Sequence, residues 1–329
     1  MIRLSLLLVW AVSLPLVSLR AADAGGVKIT EAPGKLRIEI NGQLFTEYVY
    51  EGAPHVYYYP VLGPGGTPMT RNFPMKNVEG EDTDHKHHRS LWYSHGAVNG
   101  VDFWAEGGKA GKIVHEKFLE KTSGPDVGVI RSANRWVGPD GNVVMTDERT
   151  FRVFNRPDTE RLFDFEITLK AGEKEIVLGD TKEGSMGIRV NEQMRVTPYK
   201  TNTGTGHIVL SSGVRDDIRP AKANDTKTWG KRAEWCDFWG KAEGKTVGIA
   251  IFDHPKNPKH PTWWHVRDTG LFAANPYGVS YFEKKPPGTG NIVIPPKQTL
   301  TFRYRFFLHE GDEKQARVAE RYRECAAGK

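Results

Sequence analysis

Apolar residues recur at every second position through most of this chain, and that period constrains its fold more than any other feature. Residues 299–309 are the clearest case, with Leu300, Phe302, Tyr304, Phe306 and Leu308 on one face of an extended segment. Residues 161–169 repeat the pattern with Leu162, Phe163, Phe165, Ile167 and Leu169, and residues 35–40 with Leu36, Ile38 and Ile40. Further strands are expected at 44–50, 56–62, 112–120, 127–137, 143–154, 188–196, 207–211, 246–253 and 278–283. Asn41-Gly42, the run from Gly63 to Gly66 and the run from Pro139 to Asn142 read as turns between them. Only residues 312–327 have helical spacing, through Ala316, Ala319, Tyr322 and Ala326. No tandem repeat or low-complexity linker interrupts the series. The expectation is all-β: residues 25–329 as one large antiparallel β sandwich with a short C-terminal helix.

The first 24 residues do not fit that pattern. Arg3 precedes an apolar run over residues 4–19, and Ala22-Asp23-Ala24 has the small-x-small form of a cleavage site. Residues 1–24 therefore read as a secretory signal peptide, which predicts a periplasmic or secreted protein. No later stretch reaches 18 apolar residues, so no membrane span is expected. The net charge of +6 is spread without basic blocks, which argues against a nucleic-acid partner. In an oxidising compartment the 2 cysteines, Cys236 and Cys325, could form a disulfide if geometry allows.

Chemistry concentrates between Asp82 and Glu106. Four of the 11 histidines fall there, His85, His87, His88 and His95, with Asp84, Arg89, Asn99 and Asp102 and the indoles of Trp92 and Trp104. Burying so many titratable groups costs several kcal/mol unless each finds a partner, so the cluster reads as a polar site walled by aromatics. If 85–89 is extended, His85 and His87 share a face and could hold a metal or serve proton transfer. Three other stretches carry candidates. A Gly-flanked loop over 179–189 bears Asp180, Glu183 and Arg189. Residues 229–239 place Trp229, Trp235 and Trp239 beside acids, a combination suited to sugar rings. Residues 254–275 hold His254, His260, Trp263, Trp264, His265, Arg267 and Asn275, a second His-aromatic cluster expected to meet the first in space.

Four segments together resemble the PmoA-like family of exported bacterial proteins: the Tyr58-Tyr59-Pro60-Val61-Leu62-Gly63-Pro64 run, the stretches 84–106 and 179–189, and residues 260–278. The run from His87 to Trp92, continued by Val98-Asn99-Gly100-Val101-Asp102-Phe103-Trp104, is its most specific part. Lys86 stands where the family pattern often has proline. The family's name comes from a methane oxygenase subunit, which would need a membrane-embedded body. The resemblance instead implies a supersandwich related to galactose mutarotase-like domains, in which His and carboxylates move protons on a sugar.

The expected function is an exported carbohydrate-active enzyme working by acid–base chemistry: hydrolysis, elimination or epimerisation. His88 and His265 would transfer protons, Arg89 would hold a charged group, and Asp180 and Glu183 would orient substrate or act as acid. His87, Trp92, His95, Asn99, Asp102, Trp104, Arg189, Trp264 and Asn275 would bind the carbohydrate. No cofactor is firmly implied. The rival readings are a non-catalytic glycan-binding protein and a cupin-like enzyme with a divalent metal on His85 and His87.

Overall fold

The computed structural model describes residues 25–219 and 226–328, so the expected leader at 1–24 lies outside the described residues. The chain begins with β1 (Val27–Ala32), β2 (Lys35–Ile40), β3 (Gln43–Val49), β4 (Tyr57–Val61) and β5 (Leu91–His95). Four long strands follow, β6 (Lys112–Thr122), β7 (Val127–Val137), β8 (Val143–Phe154) and β9 (Glu160–Lys170). Next come β10 (Ile176–Leu178), β11 (Gly184–Arg189), β12 (His207–Leu210), β13 (Arg215–Asp216), β14 (Trp235–Ala242) and β15 (Lys245–Asp253). The chain closes with β16 (Trp263–Val266), β17 (Leu271–Asn275), α1 (Val279–Glu283), β18 (Ile292–Ile294), β19 (Thr299–Glu310) and α2 (Val318–Ala326).

These strands build two large antiparallel sheets. One runs β1-β2-β3-β4-β5-β11-β17-β16, the other β13-β12-β14-β15-β19-β9-β8-β7-β6, and β10 pairs with β18 apart from both. A continuous apolar core lies between the sheets, with Leu36, Ile38, Tyr58 and Met186 from the first against Phe151, Phe163, Phe165 and Phe306 from the second. The Phe163 and Phe306 rings stack at 4.7 Å. Alternation is visible in β9, where every second side chain is buried. Asp147 is buried in this core and accepts hydrogen bonds from Asn134, Trp136 and Arg149, so its charge is matched. Arg149 also donates to the Tyr93 carbonyl of β5, tying the two sheets together.

The structure corrects two local expectations and settles the state of the cysteines. Residues 278–283 were expected as strand but contain α1. The Asn275 side chain accepts from the Tyr277 and Gly278 N–H groups and turns the chain there. Asp180 then accepts from Ser280 N and so answers an N–H that the first turn leaves open. The strand expected at 188–196 ends at Arg189, and residues 192–194 form a 3₁₀ turn capped by Asn191. The cysteines are not bonded: Cys236 faces the inter-sheet core, while Cys325 lies on α2 across the outer face of the nine-stranded sheet.

Candidate functional site

The last four strands of the eight-stranded sheet, β5, β11, β17 and the edge strand β16, carry the site on the face turned away from the core. Leu91 and Tyr93 of β5 point into the core, so Trp92 points outward. Register aligns Trp92 with Gly187, Gly187 with Ala273, and Ala273 with His265. This rung has a large ring at one end, an imidazole at the other and two small residues between. A Cβ on Gly187 would sit 2.8 Å from the Trp92 ring, so only glycine lets the indole lie over the strand. One rung along, Arg189 pairs with Leu271, and Arg267 donates its backbone N–H to the Leu271 carbonyl.

Residues 82–90 cross above this floor as a turn. His88 N donates to the His85 carbonyl, and His85 has a φ of 44°. The extended His-x-His reading is thereby corrected. His85 stacks on His88 at 4.8 Å, and His88 stacks on Trp92 at 5.3 Å. Asp84 holds the turn in place: it accepts from Arg71 at 2.6 Å and from Arg189 at 3.1 Å, and His85 Nδ1 lies 2.5 Å away. Burial works against the Asp84 charge, but the His85 hydrogen bond and the two guanidinium groups outweigh it and hold the carboxyl well below its usual range.

His88 is buried, and its Nδ1 lies 3.1 Å from an Arg189 terminal nitrogen. Arginine only donates, so Nδ1 accepts and the ring proton sits on Nε2. Burial, then the Arg189 charge, keeps His88 neutral, well below its ordinary pKa. His265 is 4% exposed, and burial pushes it down to about 4 despite the nearby Glu183. Its Nδ1 is buried with no hydrogen-bond partner among the described residues. Both imidazoles are thus held neutral: His88 offers Nε2–H, and His265 has an Nδ1 that no protein group occupies.

Both rings line one cavity of about 230 Å³, with Asp84, His85, Lys182, Glu183, Arg189, Arg267, Thr269 and Leu271. The expected meeting of the two His clusters is therefore present. Lys182 pairs with Glu183 at 2.9 Å. Burial raises the Glu183 carboxyl, but the Lys182 contact and charge bring it below its usual range. Trp229 lies beside His265, edge-on at 6.3 Å, with Arg267 over its ring at 5.9 Å.

Other expected site residues serve the frame. His95 faces the core, bonded to the Gly179 carbonyl and Ser185, and burial pushes it down to about 4. Asn99 ties Val177 and Glu175, and Asp102 caps Trp104 and Ala105. Arg89 is committed to Glu106 through two hydrogen bonds of 2.5 and 2.8 Å. Asp180 clamps Ser280 and Gly290, and Asn275 binds the Thr181 and Lys182 carbonyls, so both shape the loop that carries Glu183. Trp264 alternates with His265 into the core, where its indole N–H donates to the Ala233 carbonyl. Trp104 packs beneath His88 at 5.8 Å, and His87 stands beside it, edge-on at 4.5 Å. Trp235 and Trp239 lie on strand β14, at the other sheet. Among the described residues, no group of three or more His, Cys, Asp or Glu side chains converges to hold a metal, so His85 and His87 lack a third ligand.

The sequence reading passed over Arg71 and Lys182 and gave no role to Arg267. Arg71 is isolated in sequence, and its pairing with Asp84 is visible only once the chain folds. Lys182 lay inside the loop already singled out for its acids, so its neighbourhood was the available signal.

No curated protein matches the chain. Among solved structures, a glycoside hydrolase family 97 enzyme from Pseudoalteromonas sp. strain K8, in complex with panose, is 15% identical with a TM-score of 0.33. The alignment covers 86% of this chain but 33% of that one, so this chain spans about a third of its length. A galactose mutarotase related enzyme from Lactobacillus acidophilus is 9% identical with a TM-score of 0.30, covering 86% of this chain and 97% of that one. A GalM/aldose epimerase homologue from C. elegans is 7% identical with a TM-score of 0.34, covering 88% and 99%. In sequence, the model of DUF6807, a family of unknown function, matches residues 35–323, and the chain belongs to that family.

Proposed function

We propose that this protein is an exported carbohydrate-active enzyme that moves protons on a sugar through His88 and His265. The observation that carries the reading is two neutral imidazoles on one cavity, His88 with its proton on Nε2 and His265 with an Nδ1 that no protein group occupies. His265 Nδ1 accepts a proton from a sugar carbon or hydroxyl, and His88 Nε2–H supplies one to the oxygen on which negative charge develops. Arg189 holds His88 in its donor tautomer and is a positioning residue. Leu271 gives the cavity an apolar patch for the C–H groups of a ring. Epimerisation and elimination suit this arrangement better than hydrolysis by paired carboxylates. Asp84 is locked between two arginines and an imidazole, which leaves Glu183 as the other carboxylate on the cavity.

The test is a mass-spectrometric screen of the purified protein against neutral, oxidised and uronate-containing glycans. Conversion of at least one glycan is expected, with His265→Ala slowing it by about 10²-fold or more. Binding without conversion of any glycan would favour a non-catalytic glycan-binding protein. Export rests on the apolar run at 4–19 and the Ala22-Asp23-Ala24 site. Expressed in a Gram-negative host, the protein should be found in the periplasm with an N-terminus near Gly25, and soluble cytoplasmic protein retaining Met1 would refute this.

A further inference from the structure

The charges around the cavity do not cancel. Lys182, Arg189 and Arg267 line it, and Arg71 is buried behind Asp84. Asp84 and Glu183 answer these cations on the cavity, and Glu192, whose charge also reaches Arg71 and Arg189, is paired with Arg195. Glu183 is taken by Lys182. Asp84 is shared between Arg71 and Arg189 and is also contacted by His85. Arg267 has no ion pair among the described residues and only lies over Trp229. The neighbouring Asp268 is engaged by Arg219.

The placement of the surplus is specific. Arg189, Leu271 and Arg267 follow one another across adjacent strands, so the backbones bearing the two guanidinium groups stand about 10 Å apart, two strand spacings. The apolar Leu271 between them cannot neutralise either. The adjacent rung carries His265. A ligand with a negative group over Leu271 would therefore meet two arginines at one end and the imidazoles at the other.

We infer that the cavity takes an anionic sugar, with its carboxylate or sulfate seated between Arg189 and Arg267 and its ring beside His88 and His265. This inference rests on the carbohydrate reading and names its substrate class. Planar guanidinium groups suit both oxyanions, and a hydrogen bond between charged partners is strong enough to select for them. A neutral sugar leaves the positive surplus unanswered.

The test is calorimetric binding of uronic acid oligosaccharides, sulfated oligosaccharides and their neutral counterparts to the full-length protein, Arg267→Ala and Arg267→Lys. Arg267 is exposed, and unchanged thermal denaturation would establish that the variants are folded. Anionic ligands should bind at least about tenfold more tightly than neutral ones, the gain of one charged hydrogen bond. Arg267→Ala should reduce that preference, because Arg189 alone then meets the anion, and Arg267→Lys should restore part of it. Preference for the carboxylated or the sulfated series identifies the anion. Equal binding of neutral and anionic sugars would overturn this inference and leave the acid–base reading standing. Absence of binding by every sugar, together with no turnover in the screen, would overturn both.

Discussion

Asp84 is the residue on which the site most depends. Its carboxylate contacts Arg71, Arg189 and His85, and Arg189 in turn sets the tautomer of His88. Asp84→Asn would leave two buried guanidinium groups without their counter-charge. We expect a loss of about 3 kcal/mol in urea denaturation, and loss of turnover because His88 is no longer held. Gly187→Val makes a separate prediction. Its Cβ would meet the Trp92 ring at 2.8 Å, so the indole and the His88 stacked on it must move. Overpacking of this kind costs about 1–3 kcal/mol, and near-ultraviolet circular dichroism should report the displaced tryptophan. At this scale the sequence was partly legible. Histidines crowded between 85 and 95 announce a site because such groups are costly to bury without purpose. Which of them face the cavity was not legible, because the His88–Arg189 contact joins residues 101 positions apart.

Strands half-exposed to water could be read from their alternation, and the fold class with them. β2, β7 and β8 have the expected bounds, and β9 and β19 are each longer by one residue at one or both ends. The strands that build the site were the hard ones. Every residue of β5, β11, β16 and β17 is buried, because the core covers one face and the site loops the other. Period-two alternation disappears when both faces are dry. α1 was misread because its start is set by side chains from elsewhere, Asn275 and Asp180, rather than by its own residues. Asp180→Ala should therefore act through the loop it clamps. It removes acceptors from Ser280 and Gly290, costs about 1–2 kcal/mol in thermal denaturation, and weakens substrate binding more than it slows chemistry. A KM that rises with kcat unchanged would support that role. A fall in kcat alone would assign Asp180 to the reaction instead.

Across the whole molecule, buried neutral histidines make stability depend on acid. Burial pushes His55, His95 and His265 each down to about 4. Unfolded, they take up protons near pH 6.5, so between about 6.5 and 4 the unfolded chain binds more protons and stability falls as pH falls. Each group costs on the order of 3 kcal/mol across that window. His309 works the other way. Burial lowers its pKa, but Asp237 more than offsets this and raises it, so its contribution is present at low pH and lost as pH rises. His88, also held well below its ordinary value, acts in the same direction as the first three, so the lowered histidines outweigh His309 and predict a lower urea midpoint at pH 4.5 than at pH 7.5. An unchanged midpoint would show that these rings are hydrated in solution. No helix among the described residues is long and apolar enough to cross a membrane.

The most direct test of the account sets turnover beside binding on one glycan panel for the wild-type protein, His88→Ala and His265→Ala. The account predicts that the wild type converts a glycan, and that each variant still binds it but turns it over at least about 10²-fold more slowly. Full activity in both variants, or binding with no conversion by the wild type, would contradict it.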